Sequence, residues 1–344
     1  MNARTDGGSS AWWRRFADGA LEFSIVGSFT RFGLLARRGL FDWEQSAAPP
    51  DLSGRVIVVT GATSGLGLEA ARSFAGRGAR VHLVGRDAGR LDRAVATLRR
   101  DTGSEMLATS VADMGELDQV RTLAGELRSR YQRLDVLVHN AGALLATRLV
   151  NSQGVEATVA SQVLGPFLLT DLLLPLLQRT PGARVITVAS GGMYAEKLDV
   201  DRLIMGPGEY RGSTAYARAK RAQVALNEEW ASRTEGSGVT FHAMHPGWAD
   251  TPGVARSLPR FRRILGRSLR SPAEGADTIV WLAISPEVLE SNGLFWHDRA
   301  PRSTSYLPGT SMAPGEKARL WDWVRHELHD AADPAFVTAP SGRA

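Results

Sequence analysis

A phenol and a primary amine four residues apart, Tyr216 and Lys220, are the side chains of this 344-residue sequence best placed to do chemistry. Lysine occurs only at Lys197, Lys220 and Lys317; every other basic residue is arginine, and there are 5 tyrosines. A chance Tyr-x-x-x-Lys is therefore rare in this composition. A helix places residues i and i+4 on one face. A neighbouring ammonium favours the tyrosinate and is expected to lower the phenol from its usual ~10. Tyr216 would then give and take a proton near neutral pH. The plainer alternative is a chance pair on a solvated helix, and a glycine-rich turn upstream argues against it.

That turn is Thr60-Gly-Ala-Thr-Ser-Gly-Leu-Gly67. It follows the strand pattern Arg55-Val-Ile-Val-Val-Thr60 and opens a helix pattern over Leu66 to Arg77. Gly61, Gly65 and Gly67 let the backbone turn tightly and approach a pyrophosphate, with Thr63, Ser64 and Leu66 between them. The helix N-terminus offers free N–H groups and the positive end of its dipole. After the second strand pattern, Gly85 is followed by Arg86. A carboxylate there would bind the ribose 2′-hydroxyl of NAD, whereas a guanidinium pairs with a 2′-phosphate. NADP(H) is therefore the preferred cofactor, and Asp87 beside Arg86 keeps NAD(H) open.

These residues need a sheet to hold them. From Leu52, short β-branched runs alternate with helical stretches. Strands are expected at 55–60, 80–85, 105–109, 134–139, 184–189, 239–245 and Leu294-Phe-Trp296. Helices are expected near 87–100, 115–130, 154–179, 214–234 and 315–329. Strands that are apolar on both faces and alternate with helices indicate an α/β, Rossmann-type doubly wound parallel sheet of about seven strands. Three regions are expected: a helical N-terminal extension over 1–50 with a disordered start, a catalytic domain over 51–300, and a C-terminal segment over 301–344 with one helix and a loose tail from Ala331. Trp12 to Trp43 is aromatic and reads as one or two amphipathic helices, which pack on the domain or dock on a membrane surface.

Composition excludes more than it assigns. With no cysteine there is no disulfide, thiolate nucleophile or cysteine metal site. The net charge of +5 comes with no basic stripe interleaved with aromatics, so nucleic acid is not an expected partner. The best candidate for a membrane span, Leu21 to Ala36, is interrupted by Glu22 and Arg31 and is too short. It lacks the cleavage site of a signal peptide, and a cytoplasmic protein is expected, with membrane association as the alternative. His326 and His329 have no third ligand in the pattern, and no metal is expected. A Gly-x-Ser-x-Gly elbow is missing around Ser190.

The ordered set of motifs resembles the short-chain dehydrogenase/reductase family of compact type, over about residues 52–300. The resemblance implies an adenine contact at Asp113, a cofactor crevice lined by Asn140-Ala141-Gly142, and a nicotinamide-side segment with Pro246, Gly247 and Thr251. It implies a substrate-orienting Ser190 and a catalytic pair at Tyr216 and Lys220, with Lys220 also on the nicotinamide ribose. A narrower likeness, to one group within the family, rests on Ser190-Gly-Gly-Met193, His245-Pro-Gly-Trp-Ala-Asp-Thr-Pro-Gly253, Gly275-Ala-Asp-Thr278 and His297-Asp-Arg-x-Pro. Gln162 stands where the family places a relay asparagine. The stretch Glu196 to Arg211, longer than in many relatives, reads as a surface excursion at the substrate mouth.

The implied activity is reduction of a small-molecule carbonyl, or oxidation of an alcohol, by hydride transfer. Two alternatives stand beside it: a nucleotide sensor or scaffold that keeps the fold without turnover, and a membrane-surface reductase of lipid-like carbonyls anchored through 12–43. Leu258 and Phe261, in an arginine-rich stretch over 253–270, are candidate substrate contacts. A homodimer or homotetramer through the helices near 154–179 and 214–234 is implied by the resemblance alone.

Overall fold

The computed structural model describes residues 7–43, 50–306 and 309–330. The first six residues, the end of the extension at 44–49 and the tail from Ala331 lie outside them. The extension folds as three helices, α1 (Gly7–Phe23), α2 (Ile25–Phe29) and α3 (Arg31–Leu40). One or two were expected, and Gly7–Ser10, read as disordered, opens the first. The breaks are local. The Ser24 hydroxyl caps α2 by accepting from the Gly27 N–H, and Thr30 is extended at ψ 174°, which ends α2 and starts α3.

The sheet begins at β1 (Val56–Thr60), followed by α4 (Gly65–Ala75), β2 (Arg80–Gly85), α5 (Ala88–Thr102), β3 (Leu107–Val111), α6 (Leu117–Arg130) and β4 (Val136–His139). A short α7 (Ala157–Val159) continues through a π turn (Ala160–Leu164) into α8 (Gly165–Gln178) and then β5 (Arg184–Val188). Next come α9 (Gly212–Arg233), β6 (Thr240–His245), α10 (Pro252–Ser257), α11 (Pro259–Leu265), α12 (Pro272–Ile284), β7 (Phe295–His297), β8 (Ala300–Pro301) and α13 (Glu316–Asp330). The strand order is β3-β2-β1-β4-β5-β6-β7-β8, parallel except for the last pair. Every residue of β1, β4 and β5 is buried, because helices cover both faces. The order reverses between β1 and β4, so a crevice opens at their C-terminal ends.

The eighth strand was not expected. Asp298 and Arg299 turn the chain between β7 and β8 with φ of 52° and 57°, a backbone state costly for residues other than glycine. Ion pairs hold both: Asp298 with Arg37 and Arg270, Arg299 with Asp277.

Asp298 belongs to a buried cluster that fastens the extension to the sheet. The Arg37 guanidinium is fully buried and donates to Asp18 (2.7 Å), Glu22 (2.6 Å) and Asp298 (2.7 Å). Arg270 donates to Asp298 at 2.6 Å and Arg302 to Asp18 at 2.8 Å. Three guanidinium groups thus meet three carboxylates, the balance that a buried cluster needs. The outer faces of α1 and α3 are apolar: Trp12, Phe16, Phe23, Phe32 and Leu35 are exposed, Phe23 at 94%. These helices bury Asp18, Glu22 and Arg37 and turn these aromatic rings outward.

Two other features differ from expectation. The 196–211 stretch buries Leu198, Val200, Leu203 and Met205, so it is anchored rather than a surface excursion. The helix Ala157–Gln178 is long and apolar enough to cross a membrane, but 72% of its most apolar 18-residue window is buried in the fold. Across α8 and α9 lies α13, with the Trp321 ring 4.8 Å from Phe167 and 4.7 Å from Trp230.

Candidate active site

The glycine turn leaves β1 under Thr60 and enters α4. Gly61 and Gly65 have φ of 66° and 58°, open to glycine at little cost. A Cβ at Gly67 would stand 2.4 Å from Asn140 Nδ2 and 2.6 Å from the Gly61 oxygen. Asn140 explains that crowding: its Nδ2 donates to the carbonyl oxygens of Thr60 (2.9 Å) and Gly61 (3.1 Å). The Asn140 and Ala141 N–H groups both donate to Thr60 Oγ1 at 3.1 Å. Asn140 therefore locks the turn to β4. Ser64 sits at the N-cap of α4 but its side chain caps no N–H. The first turn of α4 so keeps its N–H groups for an anion, as a bound dinucleotide pyrophosphate requires.

Around that turn, Thr251 approaches Gly65 closely enough that a Cβ there would lie 3.3 Å from its own. The loop after β6 is thereby drawn over the glycine turn. Gly247, at φ 72°, lies against Arg270, where any side chain would collide. Arg86 is exposed and its Nη1 is 3.8 Å from Asp113 Oδ2. Arg90 Nη2 donates to Ser64 Oγ at 3.3 Å, which brings a second guanidinium to the turn.

Further along the crevice, β5 delivers Ser190 and α9 delivers Tyr216 and Lys220. The Ser190 hydroxyl accepts from the Gly192 N–H at 3.2 Å and lies near enough to the Tyr216 phenol to lower its pKa. Lys220 is buried, and its Nζ lies 5.4 Å from the centre of the Tyr216 ring. Nζ donates to the Val188 carbonyl and to Gln223 Oε1, each at 2.9 Å. Burial draws the amine down to about 7.

Here the expected proton chemistry needs correcting. The phenol of Tyr216 is raised above its ordinary value, not lowered. Burial is the cause, offset in part by the Ser190 hydroxyl. The ammonium stands beneath the face of the ring, where it does little for the oxygen's charge. Tyr216 therefore holds its proton at neutral pH in the free protein.

Gln162 lies in the π turn and is fully buried. Its Nε2 donates to the Ala143 carbonyl at 2.9 Å, and its backbone carbonyl accepts from Gln223 Nε2 at 2.7 Å. A Cβ at Gly142 would stand 3.0 Å from Gln162 Oε1 and 3.4 Å from Lys220 Nζ, so glycine keeps the crevice floor open above the amine.

A family model for short chain dehydrogenases matches residues 55–260. Dehydrogenase/reductase SDR family member 12 of Bos taurus is 36% identical over 318 residues, 91% of this chain and 95% of that protein. The chain belongs to the short chain dehydrogenase family. Within it, the narrower likeness seen in the sequence is to the member 12 group. Retinol dehydrogenase 12 of Bos taurus is 32% identical over 249 residues, 72% of this chain and 78% of that protein. A solved short chain dehydrogenase of Salmonella enterica shares the fold, with a TM-score of 0.61 and 23% identity over 74% of this chain and 100% of that one. This short chain dehydrogenase is thus an NAD(P)-dependent oxidoreductase with a Rossmann-type sheet.

The structure brings Ser190, Tyr216, Lys220, Gln162 and Gly142 together, and it gathers Gly61–Gly67, Asn140 and Thr251 at the other end of the same crevice. Arg86 and Asp113 pair beside that end. Phe261 packs its ring against Trp248 at 5.2 Å, and Leu258 is exposed. Three residues escaped the sequence reading. Arg90 lies in the first turn of α5, four residues beyond Arg86, and Gln223 is three residues beyond Lys220 on the same helix face, a spacing that could have flagged it. Phe29 carried no such signal: its ring lies 4.4 Å from His245 and 5.8 Å from Trp248, against the loop that follows β6.

Proposed function

We propose that this short chain dehydrogenase reduces a carbonyl to an alcohol, or runs the reverse, with NADP(H) preferred and with Ser190, Tyr216 and Lys220 as its reacting set. The observation that carries this reading is the placement of the buried Lys220 amine 5.4 Å from the centre of the Tyr216 ring, with the Ser190 hydroxyl near enough to the phenol to draw its pKa down.

A nicotinamide cofactor, when bound, supplies the hydride. The uncapped N–H groups after Ser64 would hold its pyrophosphate, with Thr63, Leu66 and Gly67 shaping the turn. Arg86 and Arg90 favour a 2′-phosphate. Asp113, Asn140, Ala141 and Gly142 border the crevice, and Pro246, Gly247 and Thr251 border its nicotinamide side. Ser190 Oγ and the Tyr216 hydroxyl converge on the substrate oxygen, where donors stabilise developing negative charge. Tyr216, protonated because burial raises it, gives its proton to that oxygen. Lys220 Nζ, at about 7, is near the midpoint of its titration and can pass on the next proton. Tyr216→Phe keeps the ring and removes the proton. It should leave NADPH binding close to that of the parent and cut turnover ~10²-fold or more. Turnover within a few-fold of the parent would overturn the assignment.

A second reading, catalysis on a lipid-like carbonyl at a membrane surface, is supported by the polarity of α1 and α3. Trp12, Phe16 and Phe23 share one outward face of α1, and Phe32 and Leu35 continue it on α3. Such faces lie in lipid headgroup regions. Leu258, Phe261 and the exposed arginines Arg256, Arg260, Arg263 and Arg267 would then flank the substrate entrance.

A further inference from the structure

Lys220 is bonded to more than the sheet. Its ammonium has three N–H groups. One goes to the Val188 carbonyl and one to Gln223 Oε1. The other end of the Gln223 amide, Nε2, donates to the Gln162 backbone carbonyl at 2.7 Å. That carbonyl lies inside the π turn of Ala160–Leu164. A π turn widens the helix and leaves carbonyls free of the usual ladder, and such turns often occur at working sites. Gln223 is only 4% exposed, so its amide has no water to fall back on.

We propose that Gln223 is a positioning residue for Lys220: its amide forms a rigid strut from Nζ to the Gln162 carbonyl, turning the amine toward the crevice floor at Gly142 and opposing the loss of its charge to burial. The inference rests on the reading of Lys220 as part of the reacting set. The chemistry of the amide supports it. With both ends engaged, the oxygen of Gln223 must face the amine and its nitrogen the carbonyl, so the side chain presents a fixed negative dipole end to Nζ. A carbonyl dipole at 2.9 Å favours the ammonium over the neutral amine. Shortening or removing the amide breaks one contact and leaves a buried group unpaired.

The groups around Nζ are few. On α9 they are Tyr216, which holds its proton, and Gln223; from β5 there is the Val188 carbonyl; from the π turn there is the Gln162 amide. His139 lines the same small cavity as Gln162 and Gln223, about 30 Å³ in volume. Burial holds its imidazole neutral, down to about 3. Only burial acts to lower the amine.

The scarcity of lysine makes the test direct. Chain labelled with ¹³C-lysine carries three labelled side chains, and Lys220→Arg identifies the signal of interest. In the parent, Lys220 should titrate near 7. Gln223→Leu, which removes the dipole, should move that midpoint down by about one unit. Gln223→Glu, nearly the same shape with a negative charge, should move it up by about one unit or more. The acid limb of kcat/KM should follow each midpoint, and NADPH affinity should weaken about tenfold in the Leu variant. Midpoints unchanged within 0.2 units, or displaced in the same direction by both variants, would overturn the proposal. A purely structural role would not give opposite signs. Should the Leu variant fail to fold, the near-isosteric Glu variant decides by its upward shift. The titration needs no substrate, so absence of turnover would sink the catalytic reading without deciding this one.

Discussion

Arg86 and Arg90 lie on either side of the first turn of α5, one exposed beside Asp113 and one bonded to Ser64 in the glycine turn. A single guanidinium near a 2′-phosphate is a weak discriminator, because exposed pairs contribute little. Two converging guanidinium groups give charge-assisted bonds from both sides. Replacing both with alanine should weaken NADPH ~10- to 100-fold and leave NADH within about threefold, as read by fluorescence titration. Equal losses for both nucleotides would mean that these arginines do not select. At this scale the sequence was partly readable. Tyr216, Lys220 and the glycines were legible because their spacing has a mechanical reason. Gln223 was not, since an amide three residues from a lysine means nothing until the π turn supplies a carbonyl for its other end. The direction of the Tyr216 shift was also misread, because burial at a site cannot be counted from residue types.

Helices α1 and α3 show why an element's outline is easier to read than its polarity. Their aromatic content was plain, but which face turns inward depended on partners more than 250 positions away, Asp298 and Arg302. The same distance hid β8 and its turn at Asp298 and Arg299. If the outward rings meet lipid, full-length protein should float with vesicles of phosphatidylcholine and phosphatidylserine. The combined change of Trp12, Phe16, Phe23 and Phe32 to serine should stay at the bottom of the gradient with the fold intact. Failure of the parent protein to float would remove the membrane reading and leave the outward rings to a protein partner. The parallel strands, by contrast, were legible to within two residues, since burial on both faces of the central strands demands continuous apolar runs.

For the molecule as a whole, buried neutral groups set the response to acid. Burial holds His82 and His242 down to about 4 and His139 to about 3. In the unfolded chain each titrates near ~6.5. Below that value the unfolded state binds more protons, so stability falls as pH drops from about 6.5 toward 4, by up to ~1.4 kcal/mol per unit for each imidazole. Glu22, held near 2 by His297 and Arg302 against its own burial, adds a loss below about pH 4.5 with the same sign. Melting temperature should therefore be several degrees lower at pH 5 than at pH 7. An equal or higher value at pH 5 would mean that these imidazoles are not buried as described. The charge cluster around Arg37 has a further consequence for how the chain is made. Its helices leave the ribosome well before their partners, since Arg270, Asp298 and Arg302 are synthesised more than two hundred residues later. Until then Asp18, Glu22 and Arg37 have no complete set of partners, and these helices must wait for the far edge of the sheet before they find their seat.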